Sequence, residues 1–310
     1  MPMSGRIANT IPFEASAADA SEDGRGMARV LIVGCGYVGS ALGQRLAADD
    51  HEVWGLRRRP VSMPPGVQPL AGDISSPRSL KELPADLDFV FYLVSPGGRD
   101  DPHYRAAYVD GVKGLRQALA QALRPPRRLF FVSSTGVYAQ RKGEWVDETS
   151  PAEPDHHSGR RLLEGESLAL GGPIPATVLR LAGIYGPRRT RLVDRVRSGS
   201  ATYAAGAPVW TNRIHRDDAA GALQHLMGLE RPEPLYLGVD CEPSPDRAVL
   251  EWLAGVLGAP PPRPAPPGEL PTRAGRSNKR CRNDRLLASG YVFRFPTFRE
   301  GYSAVLEECL

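Results

Sequence analysis

One stretch, RVLIVGCGYVG (Arg29 to Gly39), constrains this chain more than any other. A short β-branched apolar run ends at Gly34, and glycines return at Gly36 and Gly39. Such a run reads as a strand buried on both faces of a parallel sheet. The following residues, YVGSALGQRLAADD, have helical apolar spacing. A strand that turns through Gly-x-Gly-x-x-Gly into a helix is the context that makes this motif specific for a dinucleotide. Gly34 permits the tight turn, Gly36 lets the backbone approach a pyrophosphate, and Gly39 lets the helix pack close to the strand. Tyr37 and Val38 open that helix, whose free N–H groups and partial positive charge suit phosphates. The plainer alternative is a tight turn with no ligand.

The same rhythm continues. HEVWGLRR, GVQPLAGDI, DLDFVFYLVS, RRLFFVSS and PATVLRLAGIYG read as further strands. YVDGVKGLRQALAQAL (Tyr108 to Leu123) and RRLLEGESLAL read as helices, the first stopping before Pro125 and Pro126. Strand alternating with helix predicts an α/β fold, a doubly wound parallel sheet of Rossmann type. After about Gly186 the elements shorten, and GAPPPRPAPPGELP (Gly258 to Pro271) is too proline-rich for anything but a long surface loop. The expected division is a disordered leader (1–27), a dinucleotide-binding domain (28–185) and a smaller C-terminal substrate-binding portion (186–310) partly interleaved with the core. A chain of 310 residues, 41% hydrophobic, can build that core and its appendage.

Charge and cysteines exclude several classes. The net charge of +4 is mild for this length, and no basic run is interleaved with aromatics, so no nucleic acid is expected. No apolar run approaches the roughly 18 residues of a membrane span. Cys35, Cys241, Cys281 and Cys309 are scattered without metal-ligand spacing, which predicts free thiols in a reducing compartment and no metal. The N-terminus lacks the charged-then-apolar order of a signal peptide, so the expected location is the cytoplasm.

The end of the second strand bears on which dinucleotide. An Asp or Glu there accepts from the ribose hydroxyls of NAD. Here the chain has Arg57, Arg58 and Arg59. Guanidinium forks suit a 2′-phosphate, which favours NADP(H) over NAD(H), with Arg57 and Arg58 as phosphate ligands. A solvated basic turn is the alternative.

Six further segments occur in a telling order: AGDISSP, DFVFYLVS, FFVSSTGVYA, VDETSPAEP, VLRLAGIYGPRR and NRIHRDDAAGAL. Together they resemble the extended short-chain dehydrogenase/reductase family, the NAD(P)-dependent epimerase/dehydratase-like proteins, from about Ala28 to the C-terminus. The resemblance implies that Asp73 and Ile74 line the adenine and that Val94 and Ser95 pass beside the cofactor. It also implies that Ser134, with Thr135 next to it, holds the catalytic serine/threonine position, and that Leu181 to Gly183 border the nicotinamide. His215 to Asp218 would bring a strand and a helix cap near the substrate, Asp218 also reading as an N-cap. Asp110 stands where the family carries an asparagine that helps organise a proton-relay water. Members often form homodimers by pairing two helices, which here would be YVDGVKGLRQALAQAL and the helix after Ser158.

The central departure lies in HHSGRRLLEGE. The family carries Tyr-x-x-x-Lys here, two side chains on one helix face. Alignment on Glu166 puts Ser158 at the tyrosine and Leu162 at the lysine. Loss of a general acid typically lowers a rate about 10²–10⁴-fold. His157 is one replacement acid, since imidazole titrates near neutral pH, and an exposed loop histidine is its alternative reading. Arg160 and Arg161 could hold ribose or a substrate anion; Arg188, Arg189 and Arg191 could contact an anionic substrate or be solvated surface. Three functions are in play: an NADP(H)-dependent oxidoreductase acting on a small-molecule carbonyl, imine or activated alkene; a non-catalytic NADP(H)-binding or redox-sensing protein; and a sugar-nucleotide epimerase or dehydratase.

Overall fold

The computed structural model describes residues 26–80, 82–266 and 277–308. Most of the expected leader, residues 267–271 of the proline-rich segment, and Cys309 lie outside these. The first half follows the sequence reading: β1 (Arg29–Val33), α1 (Tyr37–Ala48), β2 (Glu52–Arg57), β3 (Val67–Ala71) and β4 (Phe89–Tyr92). Next come α2 (Asp101–Arg105), a π-helical turn (Ala106–Asp110), α3 (Gly111–Leu119) and β5 (Arg128–Ser134). The helix expected from Tyr108 to Leu123 thus starts seven residues earlier and ends sooner. Asp100 caps it, accepting from the His103 backbone N–H, and Pro102 sits in the first turn, where its missing donor costs nothing.

The second half contains β6 (Glu144–Val146), α4 (His157–Leu170), β7 (Ala176–Leu181), β8 (Gly183–Tyr185), α5 (Arg191–Arg197), β9 (Thr202–Tyr203), β10 (Trp210–Thr211), β11 (Arg213–His215) and α6 (Arg216–Gly228). It ends with β12 (Leu235–Gly238), β13 (Ser244–Pro245), α7 (Asp246–Leu257), β14 (Arg263–Pro264), β15 (Lys279–Cys281), α8 (Asp284–Ala288) and α9 (Phe298–Glu307). The stretch expected as a single sixth strand breaks at Ala182: β7 stays in the main sheet while β8 pairs with β11.

Seven parallel strands form the sheet in the order β12-β7-β5-β4-β1-β2-β3, with β12 a member not anticipated from the sequence. Both faces are covered, which is why β1 and β4 consist of apolar runs without alternation. On one face Ile32, Phe91 and Phe130 pack with Leu42 of α1 and Leu223 of α6. On the other, Leu31, Tyr92 and Phe131 pack with Leu115 of α3 and Leu162 of α4. A separate small core joins α5, α7 and α9 through Val193, Leu253 and Phe298. The strand order reverses between β4 and β1, and open α/β sheets bind ligands in the crevice outside such a reversal.

No helix among the described residues is long and apolar enough to cross a membrane. Nor does any group of three or more His, Cys, Asp or Glu among them gather as a metal site.

Candidate functional site

A cleft of about 680 Å³ opens at that reversal. Gly34 and Gly36 form its floor, Arg57, Arg58 and Arg59 one wall, Asp73 and Ile74 the next, and Val94, Ser95 and Gly97 the wall after β4. Gly34 has φ +86°, and a Cβ there would lie 2.7 Å from the Val94 backbone nitrogen. At Gly36 the nearest atom to such a Cβ is 3.8 Å away, so the turn is closed beneath and open above. Gly36 caps α1 without a side-chain hydrogen bond, and the first turn carries no acid. The first N–H groups therefore have their charge uncompensated, which suits a pyrophosphate.

Asp73 accepts from the Ser75 hydroxyl at 2.7 Å and its backbone N–H at 3.0 Å, which holds its carboxyl below the usual range. Val38 is buried in the core beneath the turn. Tyr37 is half-buried, and its hydroxyl donates to the Pro187 carbonyl at 2.7 Å. Arg189 lies 4.0 Å over the Tyr37 ring, so that guanidinium stacks on the glycine-turn tyrosine. Around Gly36 and Arg57 the cleft continues into a groove of about 830 Å³ bordered by Arg188, Arg216 and Arg294.

The expected catalytic residues do not gather in either space. Ser134 ends β5, half-buried, accepting from the Gly136 N–H at 3.0 Å. Thr135 is buried in the following turn. Leu181 is 2% exposed, so its side chain belongs to the core. His157 is the first residue of α4 rather than a loop residue, and its Nε2 lies 3.0 Å from the Arg99 carbonyl, with Tyr104 edge-on.

Glu166 explains why α4 sits where it does. Arg180 reaches it with two hydrogen bonds, at 2.9 and 2.6 Å, and the Ser133 hydroxyl donates to it at 2.5 Å. All three side chains are buried. Arg180 also donates to the Tyr138 hydroxyl at 2.7 Å, so β5, α4 and β7 share one satisfied network. Four residues back, Leu162 is 5% exposed and packs in the main core. Ser158, another turn back, is half-buried at the helix start.

Other expectations need correction. Arg161 is engaged by Asp101, both contacts at 2.9 Å, and by Glu164, so it is not a free anion ligand. Asp110 is exposed and lies 3.6 Å from Arg105, facing solvent rather than a relay. Asp218 does not cap α6: His215 does, its Nδ1 accepting from the Asp217 N–H at 3.2 Å. Asp218 instead accepts from Tyr291, Arg294 and Phe295, tying the C-terminal segment to α6. Burial pushes the His215 imidazole down to about 4.

Gly97 and His103 also line the cleft wall and were not anticipated from the sequence. The signal was present in SPGGRDDPH: a glycine pair, then an Asp cap and a first-turn proline, marks a loop that turns into a helix.

The sequence profile of the NAD-dependent epimerase/dehydratase family matches residues 30–207, more than half of the chain. Protein YeeZ of Escherichia coli K12 is 32% identical over 251 residues, covering 76% of this chain and 86% of that protein. A Streptomyces 3-diazoavenalumate denitrifying reductase is 28% identical over 304 residues, covering 88% and 98%. A solved structure from Methylobacillus flagellatus, assigned to the NAD-dependent epimerase/dehydratases, is 38% identical with a TM-score of 0.78, covering 92% of this chain and 99% of that one. The open glycine turn, the seven-stranded sheet and these likenesses lead to one conclusion: the chain belongs to the NAD-dependent epimerase/dehydratase family, of extended short-chain dehydrogenase/reductase type.

Proposed function

We propose that this protein is an NADP(H)-dependent oxidoreductase acting on a small-molecule carbonyl, imine or activated alkene. The observation that carries the reading is an open glycine turn facing three consecutive arginines, with no carboxylate where NAD enzymes hold the ribose. Gly34, Gly36, Tyr37, Val38 and Gly39 form the pyrophosphate turn. Arg57 and Arg58 take the 2′-phosphate, and Asp73 and Ile74 border the adenine. Val94, Ser95 and the backbone at Leu181 lead toward the nicotinamide. NADPH, when bound, supplies the hydride. Ser134 orients the substrate's reacting atom from the end of β5, and water or a protein donor delivers the proton.

An imine or an activated alkene asks less of that donor than a simple ketone, because it is more basic or more electrophilic. That preference fits Ser158 and Leu162 standing at the tyrosine and lysine positions. The Streptomyces relative named as a reductase supports the reductive direction. The reading has the protein working in the cytoplasm, with a homodimer through α3 and α4 as its assembly.

A specific observation favours a second reading. Leu162 is built into the core, so the lysine position has been given over to packing. That suits a protein that binds NADP(H) without turning it over. Epimerisation ranks third, because reversible hydride transfer needs a competent base. The test is NADPH consumption with a panel of ketones, imines and activated alkenes. Turnover of imines or alkenes above ketones is the expected result. Tight NADPH binding with no consumption across the panel would sink the oxidoreductase reading and leave the binder.

A further inference from the structure

We propose that the arginine-lined groove over the outer face of α1 is a second ligand site, beside the cofactor cleft, for a compact polyanion carrying two or more phosphate or carboxylate groups. The two spaces meet at Gly36 and Arg57, which line both. The groove's ligand does not depend on which cofactor fills the cleft.

Its floor is one stripe of α1: Tyr37, Ser40, Ala41, Gln44, Arg45 and Ala48 follow one another at helical spacing. Ser40, Ala41 and Ala48 are short, which leaves room above the helix, and no carboxylate stands on this stripe. One wall is the segment from Ser62 to Pro65. The other is assembled from three places in the chain: Arg188 after β8, Arg216 at the start of α6 and Arg294 before α9. A volume of about 830 Å³ suits a small ligand, whose pockets run to roughly 300–1,000 Å³.

The charges point to an anion. Five arginines, Arg45, Arg57, Arg188, Arg216 and Arg294, line the groove with Asp217 as the one carboxylate among the described lining residues. That excess of four positive charges equals the +4 of the entire chain. Asp217 is already engaged, with Arg216 Nε at 2.7 Å and Arg294 Nη1 at 3.9 Å. Arg45 and Arg57 have neutral acceptors only: the Gln224 side chain at 2.6 Å and the Ser62 carbonyl at 3.3 Å. The Arg188 side chain makes no hydrogen bond or ion pair among the described residues. Guanidinium forks match phosphate and carboxylate oxygens two at a time.

The arginine wall is held from beneath. The Tyr37 hydroxyl donates to the Pro187 carbonyl at 2.7 Å and so ties down the turn that carries Arg188. Arg188 itself has φ +62°, a left-handed conformation uncommon outside glycine. Arg216 follows His215, the buried cap of α6, and its guanidinium lies 5.5 Å from the centre of the Tyr37 ring. The Arg294 backbone N–H donates at 2.8 Å to Asp218, a buried carboxylate. Like charges from three elements are therefore brought to one wall by contacts with other groups. A multiply charged anion among them relieves their repulsion.

The experiment is calorimetric titration of the full chain with tripolyphosphate and with citrate at constant ionic strength, with chloride as the control. Wild-type protein should bind one polyanion per chain, and the tighter of the two names the ligand's chemistry. The double variant Arg188→Gln, Arg294→Gln should lose roughly tenfold or more of that affinity with its Tm unchanged. With NADPH saturating, the polyanion should still bind wild-type protein, more weakly, because both ligands draw on Arg57. No binding beyond that of chloride at equal ionic strength, or full affinity in the double variant, overturns the inference. So does complete displacement of the polyanion by NADPH, which would put it in the cofactor cleft and leave the cofactor reading standing. Failure of NADPH to bind would count against the cofactor reading alone, with the polyanion titration still deciding this one.

Discussion

At the β1 end of the sheet's carboxyl edge, Gly34 closes a turn against the Val94 backbone while Gly36 stays bare toward solvent. At the α4 end, Leu162 is buried in the core and Ser158 offers only a hydroxyl at the helix start. One end is shaped by bare backbone, and the other is filled by a packed side chain. Cofactor binding is a property of backbone shape and so survives side-chain change. Proton transfer depends on side-chain identity, and the positions aligned with the family's tyrosine and lysine hold Ser158 and Leu162. Glu166 shows that α4 still holds its register, since its carboxylate remains in a network with Arg180 and Ser133.

The largest effect should come from Gly34→Ala. The added carbon meets backbone rather than a movable side chain, and the φ of +86° is strained for alanine. A loss of about 3 kcal/mol or more in urea unfolding, or failure to fold, is expected. Gly36→Ala should leave the unfolding midpoint nearly unchanged and abolish nucleotide binding. If both variants behave alike, the distinction between closed floor and open surface is wrong.

At the other end, Glu166→Ala leaves the Arg180 guanidinium buried without its carboxylate, which should cost about 3–5 kcal/mol in denaturant unfolding. A loss below about 1 kcal/mol, the scale of an exposed pair, would mean α4 is not anchored this way.

The smallest effect contrasts Glu166 with a buried carboxylate that lacks partners. Asp240 is 1% exposed, and neither of its oxygens has a hydrogen bond among the described residues. Burial pushes its carboxyl up to about 8 from 3.8. The folded state therefore holds this proton more tightly than the unfolded chain. Stability from this group is full below about pH 4 and declines as pH rises toward about 8. Asp240→Asn should thus be more stable than wild type by about 1–3 kcal/mol near pH 8, with the gap closing below about pH 4. A gap that is the same at both pH values would contradict the burial argument.

Much of the sheet was legible because strands buried on both faces consist of continuous apolar runs, as in RVLIV and FVFY. Strand β12 was not, being only LYLG inside a proline-bounded stretch. The early start of α2 escaped because its exposed first turn has no apolar periodicity, and the π-helical turn shifts the phase so that Ala107, Tyr108 and Val109 are buried in succession. Asp218 looked like a cap, but pairing of β11 with β8 starts the helix three residues earlier and gives that role to His215. The glycine turn, the arginines and the substitutions at Ser158 and Leu162 were readable as residues. The Asp100–His103 pair was not, because it depends on a loop folding back over its own glycines.

The most direct test of the account is calorimetric titration of the purified protein with NADPH and with NADH. The account predicts NADPH at least tenfold tighter, about 1.4 kcal/mol, with the preference lost in Arg57→Ala. Equal affinity for both cofactors, or no binding of either, would contradict it.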